Sequence, residues 1–249
     1  MISLKDCIQN SDSLAKALRK NGESHIHYRM YTSMERAQGI ILSGRLFLKN
    51  GASWNDIDDR KQMSSRAVYA TCFSTSTQEN IAMWMLYGAE RGKKGAAVVF
   101  KRSVIHSILN VPSVSLGYFD DYGKFVEKEQ LKRDEYELYM TDIIYKEDCD
   151  NGKVNLTMRD EHITVSESIL NPKKIYFKEF PWSYENECRM VLEPKHKSII
   201  DERLDTVMIE IPNLAMRKIK KDCVIRSPVY SGAEYGILSK LTGKVDWDR

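Results

Sequence analysis

Apolar residues at Leu4, Ile8, Leu14, Ala15 and Leu18, followed by Asn21-Gly22, predict a helix over residues 3–20, in one piece or two. His25-Ile26-His27-Tyr28-Arg29-Met30-Tyr31 reads as a strand, and Thr32-Ser33 supplies caps for a helix from Met34 to Leu42 that Ser43-Gly44 closes. Arg45 to Leu48 is a short strand. Val68 to Ser74 is another, and the hydroxyls of Ser74-Thr75-Ser76-Thr77 are placed to cap a helix from Glu79 to Arg91. Gly95-Ala96-Ala97-Val98-Val99-Phe100 is a continuous apolar run, as a strand buried on both faces requires. A short helix near 103–110 ends before Pro112.

The second half is less regular. It predicts a strand near 114–119, a charged helix near 126–140, a strand at Ile143-Ile144-Tyr145, and a polar stretch over 147–174 with one helix around 159–170. Strands at 175–180, 187–192, 206–211 and 223–226 and a helix over 233–241 complete the expectation. Asn50 to Arg66 is polar, marked by glycine and aspartate, and long for a plain connection, which favours a functional loop. Strands and helices mix without βαβ alternation, so the expected class is α+β with a mostly antiparallel or split sheet. With no repeat and no linker, the chain reads as one domain over 1–249, residues 1–22 being an N-terminal helical extension.

Composition narrows the function classes. The 249 residues are 42% hydrophobic and 29% charged, with a net charge of +3, too small to announce a nucleic-acid ligand. No apolar run approaches the roughly 18 residues of a membrane span, and Asp6 interrupts the start of the chain where a signal peptide would be apolar. The five cysteines (7, 72, 149, 188, 223) are odd in number and never spaced as CxxC. That pattern points to reduced thiols in the cytoplasm, no disulfide frame and no metal.

The candidate chemistry centres on Trp182-Ser183-Tyr184-Glu185-Asn186-Glu187-Cys188-Arg189-Met190. In an extended segment Glu185 and Glu187 share a face, a repulsive pairing that suits a site steadying a positive charge. Upstream lie an arginine in the first strand (Tyr28-Arg29) and a Ser-Thr-Ser after a strand (Ser74-Thr75-Ser76).

This order resembles the arginine, Ser-Thr-Ser, Glu-x-Glu pattern of the ADP-ribosyltransferase superfamily. A second resemblance spans most of the chain: Tyr28-Arg29, Asn55-Asp56-x-Asp58, Cys72-Phe73-Ser74, Met83-Trp84-x-x-Tyr87, Gly95 to Phe100, Ile144-Tyr145 and Trp182-x-Tyr184-Glu185-x-Glu187-x-Arg189 look like the domain-of-unknown-function 2971 family, common beside phage-defence and mobile-element genes. Cys188 departs from it, standing where that family usually has a bulky aromatic. The resemblance implies an ADP-ribosyltransferase-like fold and an NAD-consuming transferase serving as a toxin or anti-phage effector. Glu187 would stabilise the oxocarbenium-like sugar and hold its 2′-hydroxyl, and Glu185 would activate the acceptor. Arg29, with Tyr28 beside it, would hold the pyrophosphate. Ser74, with Thr75 and Ser76, would serve the nicotinamide ribose or brace Glu187, and Tyr87 or Trp84 would stack on the nicotinamide. The implied partners are NAD as substrate, a protein or nucleic-acid acceptor and an inhibitory partner, with neither metal nor membrane.

Plainer readings stand beside these. Ser74 to Ser76 is also an ordinary helix cap, worth ~1 kcal/mol. Glu185 and Arg189 would be an i,i+4 pair on a helix. Trp84, Tyr87, His25, His27, Cys72 and Cys188 fit as packing residues, Asn55-Asp56-x-Asp58 as a turn, and Arg217, Lys218, Lys220 and Lys221 as a solvated face. The alternative functions are an NAD glycohydrolase, a non-catalytic nucleotide-sensing module and an RNA-processing enzyme.

Overall fold

Helix α1 (Ser11–Gly22) leads into β1 (His27–Ser33), α2 (Met34–Ser43), β2 (Arg45–Asn50), β3 (Tyr69–Ser74), α3 (Ile81–Tyr87), β4 (Gly95–Lys101) and α4 (Arg102–Leu109). Then come β5 (Ser113–Phe119), β6 (Phe125–Lys132), β7 (Tyr136–Asp142), β8 (Ile144–Asp148), β9 (Lys153–Met158) and β10 (Glu161–Ser166). A 3₁₀ turn (Lys174–Tyr176), β11 (Phe177–Glu179), a second 3₁₀ turn (Phe180–Glu185), β12 (Glu187–Pro194), β13 (Thr206–Glu210), α5 (Asn213–Asp222) and β14 (Val224–Arg226) follow. The computed structural model of the chain describes residues 11–51, 54, 60, 68–78, 80–87, 95–149, 152–166, 174–195 and 204–227. The expected loop at Asn55-Asp56-x-Asp58 and the helix over 233–241 lie outside these residues. The class is α+β, with mostly antiparallel pairing.

The chain forms two compact units, one from residues 1–25, 47–72 and 112–208 and the other from 26–46, 73–111 and 209–249. In the first unit, β5 pairs with β6 and β13, β7 pairs with β12, and β10-β9-β8-β11 form a four-stranded sheet with β11 parallel to β8. Leu14, Ala17 and Leu18 of α1 join Val68, Ala70, Tyr139, Ile144, Val154, Leu156, Ile175, Tyr176 and Val191 in its core. Residues expected as an extension thus supply core, and each fully buried leucine or valine contributes about 1.5–3 kcal/mol. The Arg19 guanidinium, 3.5 Å from the centroid of the Tyr139 ring, fixes the helix further.

In the second unit, β1 pairs antiparallel with β4 from His27↔Lys101 to Ser33↔Gly95, and β14 flanks β4 on its other side. The run Ala96–Val98 is fully buried, as its continuous apolar sequence predicts. Ser33 caps α2 by accepting from Arg36 N, and Gly44 ends it at φ 67.

Two expected helices are strands. Residues 126–140 form β6 and β7, joined by a turn that Lys132 N closes on Glu135 Oε2 at 2.7 Å. The charges of β6 follow from its place at a sheet edge, exposed to water, rather than from a helical surface. Of the expected helix around 159–170, residues 159–166 are described and are not helical: Arg159-Asp160 is a hairpin turn, Arg159 taking φ 57, and 161–166 pair with 153–158. Within β10, Ile163 and Val165 are half-buried while His162, Thr164 and Ser166 are exposed, the period of a strand. Helix α5 was legible only as a basic run; Arg217 and Lys218 are exposed, and Ala215, Met216 and Ile219 are buried beneath them.

Candidate functional site

The stretch expected to be extended changes conformation in its middle. Pro181 suits the first turn of the 3₁₀ segment that ends at Glu185, and Asn186 reverses the chain at φ 44, a left-handed conformation asparagine tolerates. Glu187 then opens β12. The two carboxylates therefore do not share a strand face, yet both turn onto one cation that the sequence reading passed over. Lys178 Nζ lies 2.7 Å from Glu185 Oε2 and 3.3 Å from Glu187 Oε2.

Arg189 completes the network through Glu187, not Glu185. Its Nε donates to Glu187 Oε1 at 2.6 Å and its Nη2 to Oε2 at 3.2 Å, a two-pronged pairing, while Nη1 reaches the Ile175 carbonyl at 3.4 Å. Lys178 arrives because β11 runs parallel to β8 with Lys178 opposite Tyr145. Tyr145 Oη in turn accepts from Glu187 N at 2.8 Å. Aromatic rings line the cations: Lys178 Nζ is 4.8 Å from the Trp182 ring and Arg189 Cζ is 4.9 Å from the Trp54 ring.

All four charged residues are buried, Arg189 at 1% exposure and Glu187 at 5%. Burial alone would raise the Glu187 carboxyl, but the Arg189 guanidinium and then the Lys178 ammonium outweigh it and hold it well below the usual carboxylate range. Burial would likewise lower Lys178, and Glu187 followed by Glu185 raise it above its ordinary value. The site thus carries two fixed cations and an ionised Glu187 across the neutral range. The Cys72 thiol stands beside this carboxylate. Lost hydration and then the Glu187 charge push that thiol well up, so it is a protonated thiol rather than a thiolate nucleophile.

The other half of the expected constellation belongs to the second unit. Arg29 on β1 stands in register with Ser74 on β3, and directly opposed residues of antiparallel strands share a face. Arg29 is half-buried and its Nη1 donates to Tyr31 Oη at 3.1 Å. Ser74 Oγ accepts from Ser76 N at 3.4 Å, and Ser76 Oγ accepts from Gln78 N at 3.1 Å, so these hydroxyls brace the turn. The cap of α3 is Asn80 instead, whose Oδ1 takes Ala82 N at 3.0 Å and Met83 N at 3.3 Å. Thr75 is half-buried, as is Tyr87 at the end of α3. Tyr28 and Trp84 are closed in on all sides, edge-on to Phe73 and to Tyr31 at centroid distances of 6.1 and 4.7 Å. Arg29 and Ser74 are thus brought together within one unit, as Glu185 and Glu187 are in the other.

Lys178 is the residue sequence reasoning missed; Tyr145 stands in the motif Ile144-Tyr145 without a role. The available signal for Lys178 was a lysine directly after the apolar Ile175-Tyr176-Phe177 run and followed by Glu179, in a segment expected to be a strand. In comparisons with known proteins, no family model, no curated protein and no solved structure matches the chain, so the family resemblance rests on the motif residues alone.

Proposed function

We propose that the chain is an NAD-consuming ADP-ribosyltransferase with an ADP-ribosyltransferase-like fold, acting as a toxin or anti-phage effector in the cytoplasm. The observation that carries this reading is the register of Arg29 with Ser74. Two pieces of the pattern with 44 residues between them in sequence are cross-strand neighbours on one face. There the Arg29 fork suits a pyrophosphate and Ser74 a ribose hydroxyl. In the other unit, Glu187 is an ionised carboxylate of the kind an oxocarbenium-like sugar needs. For it to act, one oxygen exchanges a protein donor for the sugar, and Lys178 and Arg189 keep it unprotonated meanwhile.

A second reading, a nucleotide-sensing module without turnover, is favoured by one specific feature. Arg189 and Lys178 already occupy both Glu187 oxygens. Purified chain incubated with NAD⁺, with and without lysate, separates the readings. Nicotinamide release with labelling of a lysate component, lost in Glu187→Ala and reduced in the less disruptive Ser74→Ala, is the expected result. Release without any label indicates a glycohydrolase, and saturable binding without product indicates the sensor. A chain that neither binds nor consumes NAD⁺ ends both.

A further inference from the structure

Three side chains of ligand type meet elsewhere in the first unit: His25 just after α1, Asp142 at the end of β7 and Cys188 on β12. Each offers one donor atom, and the three atoms lie within 4.8 Å of one another. The fold delivers them for definite reasons. Cys188 and Asp142 are register partners across β12 and β7. His25 reaches them because Gly22 lets the end of α1 press on β7; a Cβ there would stand 2.7 Å from the backbone of Thr141. Cys188 Sγ lies 3.7 Å from the Gly22 carbonyl.

The polar contacts around His25 conflict. Its Nε2 is 2.6 Å from Asp142 Oδ1, an acceptor, and 2.6 Å from Arg159 Nη2, which can only donate. A bare Nε2 serves Arg159 and repels the carboxylate; a protonated one does the reverse. No single protonation state satisfies both contacts.

We propose that His25, Asp142 and Cys188 bind a divalent cation of the zinc type. One ion satisfies the imidazole lone pair, the carboxylate oxygen and the sulfur together. Zinc bonds of about 2.0–2.3 Å place tetrahedral ligand atoms about 3.3–3.8 Å apart, within the observed cluster after a small opening of the His25–Asp142 contact. A mixed nitrogen, oxygen and sulfur set selects zinc, cobalt or copper over magnesium and calcium. Arg159 also pairs with Asp142 Oδ2, and it keeps that contact as an outer partner while giving up Nε2. The fourth position is left for water or a substrate. The absence of CxxC spacing misleads here because the ligands come from residues 25, 142 and 188, which only the fold gathers.

The test uses the full reduced chain after treatment with chelator. Zinc titrated against a chromophoric chelator is expected to bind one per chain, and Co²⁺ to produce a thiolate-to-cobalt charge-transfer band. Cys188→Ser should abolish the band, and both it and His25→Ala should weaken zinc binding by on the order of tenfold or more. Cys72→Ser and Arg159→Ala should leave the stoichiometry unchanged. Absence of the band in the wild-type chain overturns the site whether or not any variant folds. Zinc binding that survives in both ligand variants overturns it as well.

Discussion

Lys178 decides how the paired acids should be understood. Removing it leaves two buried carboxylates short of a cation, and breaking a buried pair from one side costs about 3–5 kcal/mol. Lys178→Met should therefore lower stability at pH 7 by roughly that amount in denaturant melts. The deficit should shrink at low pH, because Glu187 freed of the ammonium regains a proton sooner. A deficit independent of pH would mean that the lysine acts through packing alone. The same network bears on chemistry: an acid fixed by an arginine and a lysine is ionised without effort, but turns to a ligand only by giving up a partner.

At the scale of elements, the caps show how position overrides motif. Ser74-Thr75-Ser76 has the residue types of a helix start, but the hydroxyls close a turn and the helix begins later, at Asn80. Asn80→Ala should cost ~1 kcal/mol through the lost cap, measurable by thermal melting, whereas Ser76→Ala should cost clearly less. Equal losses would contradict the assignment. Elements carrying a long apolar pattern, such as β4 and α2, were legible because the signal repeats over the whole segment. Strands β6 and β10 were not. Each has one half-solvated face at a sheet edge, so charged and hydroxyl residues fill positions that would be apolar further in.

For the whole molecule, acid stability follows from the direction of the shifts. Glu187 lies below its ordinary value, so its contribution is complete above about pH 4.3 and is lost as pH falls toward the lower native value. Lys178 lies above its ordinary value, so its contribution holds below about pH 10.4 and disappears as pH rises past the native value. Between these limits both favour the folded chain. Glu187→Gln should be less stable than wild type at neutral pH and approach it in acid, flattening the acid limb of a stability curve. Parallel curves would show that the carboxylate charge contributes nothing. Among the described residues, no helix is long and apolar enough to cross a membrane.

By itself the sequence determined the α+β class, the buried β4 strand, the first helix and the chemical oddity of Glu185 beside Glu187. Each of these is written in neighbouring residues, through periodicity, caps or local charge. Tertiary structure decided what those residues face. It set Lys178 between the carboxylates, Arg189 on Glu187 rather than Glu185, Ser74 opposite Arg29, and His25 beside Asp142 and Cys188. The physical reason is that strand pairing is nonlocal. Its register depends on which apolar faces are buried together, and residues far apart in sequence meet only once that register is fixed.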